Sequence, residues 1–224
     1  MFTSVSSVGL GSADVCARIL ESLDDESRTT LEENPKLCKM FFDHAQHCCF
    51  VSQRQMVPND FAIPTDSKAI DFDIQLDEHV KVLLSGNMRE YAADVLFEHK
   101  YDESVTGAML DCLMKCPQDI RKQLISNIIL VGGSSMLPGI KSRILSQVLA
   151  LCEHIEKYRS LLSLHKDAKF VALAFNSDIC AWVGASLIGN SQIKTAFDIN
   201  ASDFDSDNSV PDWTRMQYEN EAQR

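Results

Sequence analysis

Two stretches of this chain carry residue types that can do chemistry. The first, HAQHCC, sets His44, His47, Cys48 and Cys49 within six positions, and imidazole and thiolate are the donors that zinc takes. A closed zinc site wants a second ligand pair at matching spacing. None occurs, and the chain has no CxxC. The same cysteines read as small apolar residues entering the run CCFV, so no metal is assigned.

The second stretch is NIILVGGSSMLPGI, residues 127–140. An apolar run meets Gly132 and Gly133, then Ser134, Ser135, Met136 and Leu137, before Pro138 and Gly139 open another apolar periodicity. A strand, a glycine turn and a helix in that order let backbone come close to a ligand, with serine hydroxyls and the helix dipole at hand. The stretch is neither GxGxxG nor a P-loop, since no GK[ST] follows. GLGS at Gly9–Ser12 is only a bare GxG. On residue types alone the glycine pair is a tight turn or a ligand-facing turn, and both readings stand. Nucleophilic catalysis has little to draw on, because no His lies near the serines and no G-x-S-x-G elbow exists.

The surrounding elements must hold that corner. Val15, Ile19, Leu20 and Leu23 recur at helical spacing, with Gly11 or Ser12 at the start. Residues 24–34 are acidic and polar and read as a loop or helix start. Leu37, Met40, Phe41 and Ala45 resume helical spacing, and residues 50–70, with two prolines and no period, read as a loop. DFDIQL and VKVLL alternate and predict a β-hairpin. Helix returns at Tyr91. Val105, Ala108, Met109, Cys112, Leu113 and Cys116 form a one-faced helix whose two cysteines pack a core. Pro117 suits the first turn of a new helix, with Asp119 at its positive end. Residues 128–131 are expected as a fully buried strand, and Ile140, Ile144, Val148 and Leu151 as the helix beyond it. Residues 169–174 form a short strand and residues 181–187 a small buried helix. The acidic end carries Ile199, Phe204 and Trp213 as candidate anchors. Strands and helices alternate in the second half, which argues for an α/β fold.

Composition narrows the functional classes. The 224 residues suffice for one large domain or two small ones, and the net charge of −11 disfavours nucleic acid and anionic lipid as partners. No cation precedes Arg18, and the longest apolar stretch is too short to span a bilayer, so neither a signal peptide nor direct membrane insertion is expected. Eight cysteines then suit a reducing compartment.

LMKCPQDIRKQLISNIILVGGSSMLPGIKSRI resembles the actin family over its whole length. Met114-Lys115-Cys116, the run Asp119-Ile120-Arg121-Lys122, Asn127, and Gly132-Gly133 with Met136, Pro138, Gly139 and Ile140 carry the likeness. AWVGASLI, with Trp182 and Gly184 in place and Ala185 at a second glycine's position, is similar to a later family helix. CFV and VLFE fall where actins have similar strings. The resemblance implies a partial actin-like (ribonuclease H-like ATPase) fold, the second lobe plus a C-terminal return to the first. Residues 1–97 would be the outer small subdomain, 98–175 the inner subdomain with an incomplete sheet, and 176–224 the returning segment with its acidic tail. It further implies a shortened form of a longer protein, with a half-actin that folds alone as the alternative.

In actins the glycine pair approaches the nucleotide, so the resemblance makes Gly132, Gly133, Ser134, Ser135, Met136 and Leu137 a vestigial nucleotide-facing turn. Leu137 stands where the family has an aromatic ring, Ala45 and Gln46 where it has a Lys-Glu pair, and Asp178 where it has a lysine. An acid in place of a cation loses an attraction and adds a repulsion toward phosphate. No cofactor and no enzyme activity are therefore expected of this chain, with ATP or ADP left to a full-length form. CPQDIRKQL, QLDEHVKVLLSGNMREYAADVLFE and VPDW are similar to actin-related members rather than to actin. They imply a cytoplasmic, cytoskeletal structural subunit of dynactin, capping the pointed end of an actin-related filament, whose partners are actin-related filament subunits and pointed-end subunits of dynactin. Lys115, Cys116, Pro117, Gln118 and Asp119 would contribute to the filament-facing side, or would only cap two helices. A polymerising actin-like ATPase and a nuclear chromatin-remodelling subunit are the competing readings.

Overall fold

The computed structural model describes residues 4–52, 68–98 and 104–190. The chain divides into two compact units, Met1–Cys180 and Ala181–Arg224. The proline-bearing loop expected at 50–70 falls mostly outside the described residues, and the acidic end lies wholly outside them.

Three helices open the first unit. α1 (Ser12–Ser22) begins where the Asp14 carboxylate accepts the Gly11 N–H at 2.7 Å. Residues expected as a loop or helix start form α2 (Asp25–Glu33). Asp24 caps it by accepting the Ser27 N–H at 2.8 Å, and Leu31 supplies its one buried anchor. α3 (Pro35–Cys48) starts with proline at its first position, where the missing N–H costs nothing. Ile19, Leu31, Phe41 and Ala45 meet in a core from which solvent is fully excluded.

The expected hairpin is present. β1 (Phe72–Gln75) pairs antiparallel with β2 (Lys81–Leu84), Ile74 opposite Val82. Ile74, Leu76, Val82 and Leu84 face inward at period two. Asp77 closes the turn by accepting the N–H groups of His79 (2.8 Å) and Val80 (2.7 Å). Helix resumes earlier than Tyr91: α4 (Gly86–Asp94) starts at a Ser85 cap, followed by a 3-10 turn, Val95–Phe97. Arg18 of α1 forms a two-pronged pair with Glu98 beyond that turn while lying 4.7 Å from the Tyr91 ring.

α5 (Val105–Lys115) and α6 (Gln118–Ile125) meet at the Cys116-Pro117 corner. Residues 128–131 and 169–174, expected as strands, make one isolated parallel bridge, Ile128 to Phe170. Full burial of the first was wrong: Ile129 is 60% and Val131 52% exposed. A strand is buried on two faces only when layers cover both, and among the described residues of this unit none covers the face that carries Ile129 and Val131.

α7 (Ile140–His154) follows the glycine stretch, and a long 3-10 segment, Glu156–Asp167, packs back on it. α7 buries Ile140, Ile144, Val148 and Leu151 as the period predicts, but Arg143 and Gln147 lie on that same face. The Arg143 guanidinium sits 3.4 Å from Asp94 of α4, donates to the Ser52 carbonyl at 3.1 Å, and lies 5.2 Å from the Phe97 ring. α8 (Cys180–Asn190), which runs into the second unit, is helical as expected.

Removing one member of a buried ion pair strands the other charge in the core. Arg143→Met should lower the unfolding free energy by about 3–5 kcal/mol, and Arg143→Met with Asp94→Leu should recover much of that loss, measured by urea denaturation.

Candidate functional site

The glycine corner is built by its backbone. Gly132 has φ 99° and ψ 167°, a region that is essentially glycine's alone. Its N–H donates to the Ser177 carbonyl at 2.9 Å, which ties the corner to the chain before α8. Residues Gly133–Met136 then make a 3-10 turn. A side chain at Gly133 would meet nothing within 4 Å, and its φ is unstrained. Of the pair, Gly132 is thus demanded by conformation, while Gly133 leaves open space over the turn.

The serines divide as well. Ser135 is buried, and both its N–H (3.1 Å) and its hydroxyl (2.5 Å) donate to the Gly132 carbonyl. That hydroxyl proton serves the turn and is withdrawn from any ligand. Ser134 is half-buried, and its carbonyl accepts the Leu137 N–H at 3.2 Å. Met136 is exposed, whereas Leu137 leans on the core. The turn closes at Gly139, φ 87°, where an added Cβ would stand 2.1 Å from the Val51 carbonyl oxygen. The Val51 N–H donates to Pro138 O at 2.8 Å, so Val51 clasps this end from both sides.

Positions that the resemblance links to a nucleotide look different in place. Ala45 is sealed in the core and presents nothing outward. Gln46 is exposed and its amide donates to Cys16 Sγ at 3.6 Å. Asp178 is exposed and directly follows Ser177, the residue bound to Gly132, so an acid stands beside the corner. Around HAQHCC, Cys49 is buried and Cys48 half-buried. Burial pushes the Cys49 thiol up to about 12, with Cys48 and Cys16 adding to the shift. Among the described residues no group of three or more His, Cys, Asp and Glu side chains is arranged to hold a metal ion.

The α5–α6 corner forms a second surface. Lys115, Gln118 and Asp119 are exposed; Cys116 and Pro117 are half-buried. Arg121, which residue pattern did not single out, stiffens this corner by donating to Cys116 O (2.8 Å) and Met114 O (2.7 Å) at the negative end of α5. Lys115 Nζ reaches back to Val5 O at 3.3 Å. Behind the ridge lies an apolar cavity of about 370 Å³ whose walls include Met109, Cys112, Leu113, Cys116 and Ile128. Its existence was not legible in sequence, because it depends on how α5, α6 and residue 128 approach one another.

The described residues thus form a mixed helix-and-sheet unit with a Gly-Gly corner between an extended segment and a long helix. The family model for actin matches residues 27–208, and the chain belongs to the actin family. It is similar to Actin-related protein 10 of Dictyostelium discoideum, 26% identical over 202 residues, covering 78% of this chain and 41% of that protein. Actin-like protein 7A of Mus musculus is 23% identical over 154 residues, 67% of this chain and 31% of the relative. Actin-like protein ARP6 of Debaryomyces hansenii is 24% identical over 116 residues, 52% and 25% of the two chains. The chain thus spans 41% or less of the length of these relatives. No helix among the described residues is long and apolar enough to cross a membrane.

The two glycines should respond differently to a methyl group. Gly132→Ala should cost about 1–3 kcal/mol through its forbidden φ alone, and Gly133→Ala should stay within about 0.5 kcal/mol, as exposed sites usually do. Chemical denaturation of the two variants in parallel checks the contrast.

Proposed function

We propose that this chain forms part of an actin-related structural subunit that works by docking and carries out no catalysis. The assembly it joins is dynactin, where it caps the pointed end of the actin-related filament and so supports dynein-driven transport along microtubules in the cytoplasm. The observation that carries the reading is the rigid, exposed ridge of Lys115, Gln118 and Asp119 at the α5–α6 corner. Gln118 and Asp119 sit in CPQDIRKQL, one of the stretches similar to actin-related members rather than to actin, and the similarity to Actin-related protein 10 over 78% of the chain supports the same choice.

Docking needs a face of fixed shape and charge, because ordering a floppy one costs free energy at the moment of contact. Arg121 supplies that fixity by bonding two carbonyls of the corner. Alternating Lys115 and Asp119 allow one partner register and penalise others through like charges. Actin-related filament subunits meet this ridge, and pointed-end subunits of dynactin meet the part of the molecule formed by residues 1–97.

The glycine corner supports the non-catalytic half of the reading. Its one buried hydroxyl is committed to Gly132, and an exposed carboxylate at position 178 disfavours a phosphate group there. In our reading the corner persists as architecture, joining residues 128–131 to α7, with nucleotide no longer held by these residues.

Charge reversal tests the ridge. Lys115→Glu with Asp119→Lys, placed in the longest natural form of the protein, should reduce its recovery with dynactin subunits roughly tenfold, the equivalent of about 1.4 kcal/mol. Undiminished recovery would remove the ridge from the interface. Free actin regulators or remodelling helicases in place of dynactin subunits would overturn the assignment itself.

A further inference from the structure

We propose that Ser160 is a phosphorylation site for a protein kinase that selects cationic substrates, and that its phosphate draws Lys157 away from Asp111. Neither step depends on the docking ridge.

The 3-10 segment Glu156–Asp167 repeats every three residues, so its side chains stack in rows at i and i+3. One row is buried: Tyr158 is 0% and Leu161 1% exposed. The next row is Lys157, Ser160, Ser163 and Lys166, and each of these is exposed. Lysines and hydroxyls belong in water, so composition, and not the want of a neighbour, makes this row a surface. Residue order then singles out Ser160. Lys157 stands three positions before it and Arg159 one before, with Leu161 directly after. Kinases that read cationic substrates place negative charge opposite such positions. Among the described residues, Ser160 is the one exposed serine or threonine with a cation three positions before it; Ser163 has Ser160 there. A kinase reads an extended chain, so one turn must open. The hydrogen bonds of a 3-10 helix are poorer in geometry than those of an α-helix and let it open locally.

ATP supplies the group transferred. Ser160 Oγ attacks the γ-phosphorus, the bond to the β–γ bridging oxygen breaks, ADP leaves, and the hydroxyl proton passes to the kinase's base. Asp111 of α5 is the hub beside the site. Its Oδ1 lies 2.8 Å from Lys157 Nζ and accepts the Tyr158 hydroxyl at 2.8 Å. Burial alone would raise this carboxyl, but Lys157, Tyr158 and the charge of Lys115 hold it below the usual carboxylate range. Ser160 Oγ donates to Met114 Sδ at 3.5 Å, a weak contact that is easily given up. A phosphate at Ser160 carries a charge of about −1.5 to −2 and three acceptor oxygens, one 3-10 turn (about 6 Å of rise) from Lys157. Asp111 offers a single charge, so the lysine goes to the phosphate, and the two anions then repel each other. The segment keeps Tyr158 on Asp111 and loses its ion pair with α5 there.

The test has two stages. In the first, the purified 224-residue chain is treated with an activated calmodulin-dependent protein kinase and magnesium ATP, and the native protein is isolated from its cells with phosphatases blocked. Both are mapped by mass spectrometry, and phosphate on Ser160 is expected. Ser160 unmodified in both preparations overturns the site, and so does a label undiminished in Ser160→Ala. In the second stage the Asp111 carboxyl is followed by carbon-13 NMR across pH. Phosphorylation should move its titration up by about one unit, a tenfold change in proton affinity. Lys157→Gln, labelled to completion with excess kinase, should show a much smaller move, because no lysine is left to be taken. An Asp111 titration that stays in place on phosphorylation, or moves equally in Lys157→Gln, overturns the switch.

Discussion

The buried contact between Arg143 and Asp94 sets the constraint under which the rest of the first unit is arranged. Their side chains are 0% and 2% exposed, so neither charge can be left to water. The guanidinium must satisfy Asp94 of α4, the Ser52 carbonyl and the Phe97 ring from one place on α7. That fixes α7 in depth and in rotation against the end of α4 and the 3-10 turn that follows it. Because α7 begins at Gly139, a residue already wedged against Val51, the end of the glycine stretch is held from the same side. A purely apolar core could fill this space about as stably, but apolar contacts are non-directional, and the pair selects one angular setting of the helix.

With that end held, the glycine corner becomes a rigid joint between residue 131 and α7. Gly132 takes a backbone angle denied to other residues and hands its N–H to Ser177, while Ser135 returns two hydrogen bonds to its carbonyl. Every polar group so committed is one fewer for a ligand. The α5–α6 ridge shows the opposite economy: its carbonyls are satisfied internally by Arg121, which leaves Lys115, Gln118 and Asp119 facing outward.

Local signals were legible wherever a short stretch decides its own conformation. The period of Ile140, Ile144, Val148 and Leu151 named α7, the alternation in DFDIQL and VKVLL named the hairpin, and Pro117 with Asp119 named the start of α6. Residues 24–34 read only as a loop or helix start, because the polar run hid α2, whose single buried residue is Leu31. Arg143 and Gln147 were readable in principle, as polar residues on the apolar stripe of α7, yet nothing local names the carboxylate 49 positions earlier that receives Arg143.

The amino-acid order by itself determined the family, the hairpin, the strongly periodic helices such as α5 and α7, and the place of the glycine corner, because these rest on residue type and on spacing within a turn or two of chain. Tertiary structure alone decided which of those residues see solvent. Residues 128–131 have the composition of a buried strand, yet Ile129 and Val131 are exposed, since burial belongs to the layer packed opposite and not to the segment itself. It also decided that Ser135 serves its own turn, that Ala45 is sealed, and that Arg121 and Arg143 each hold distant backbone in place. Those outcomes depend on contacts between segments far apart in sequence, and spacing along one segment carries no record of them.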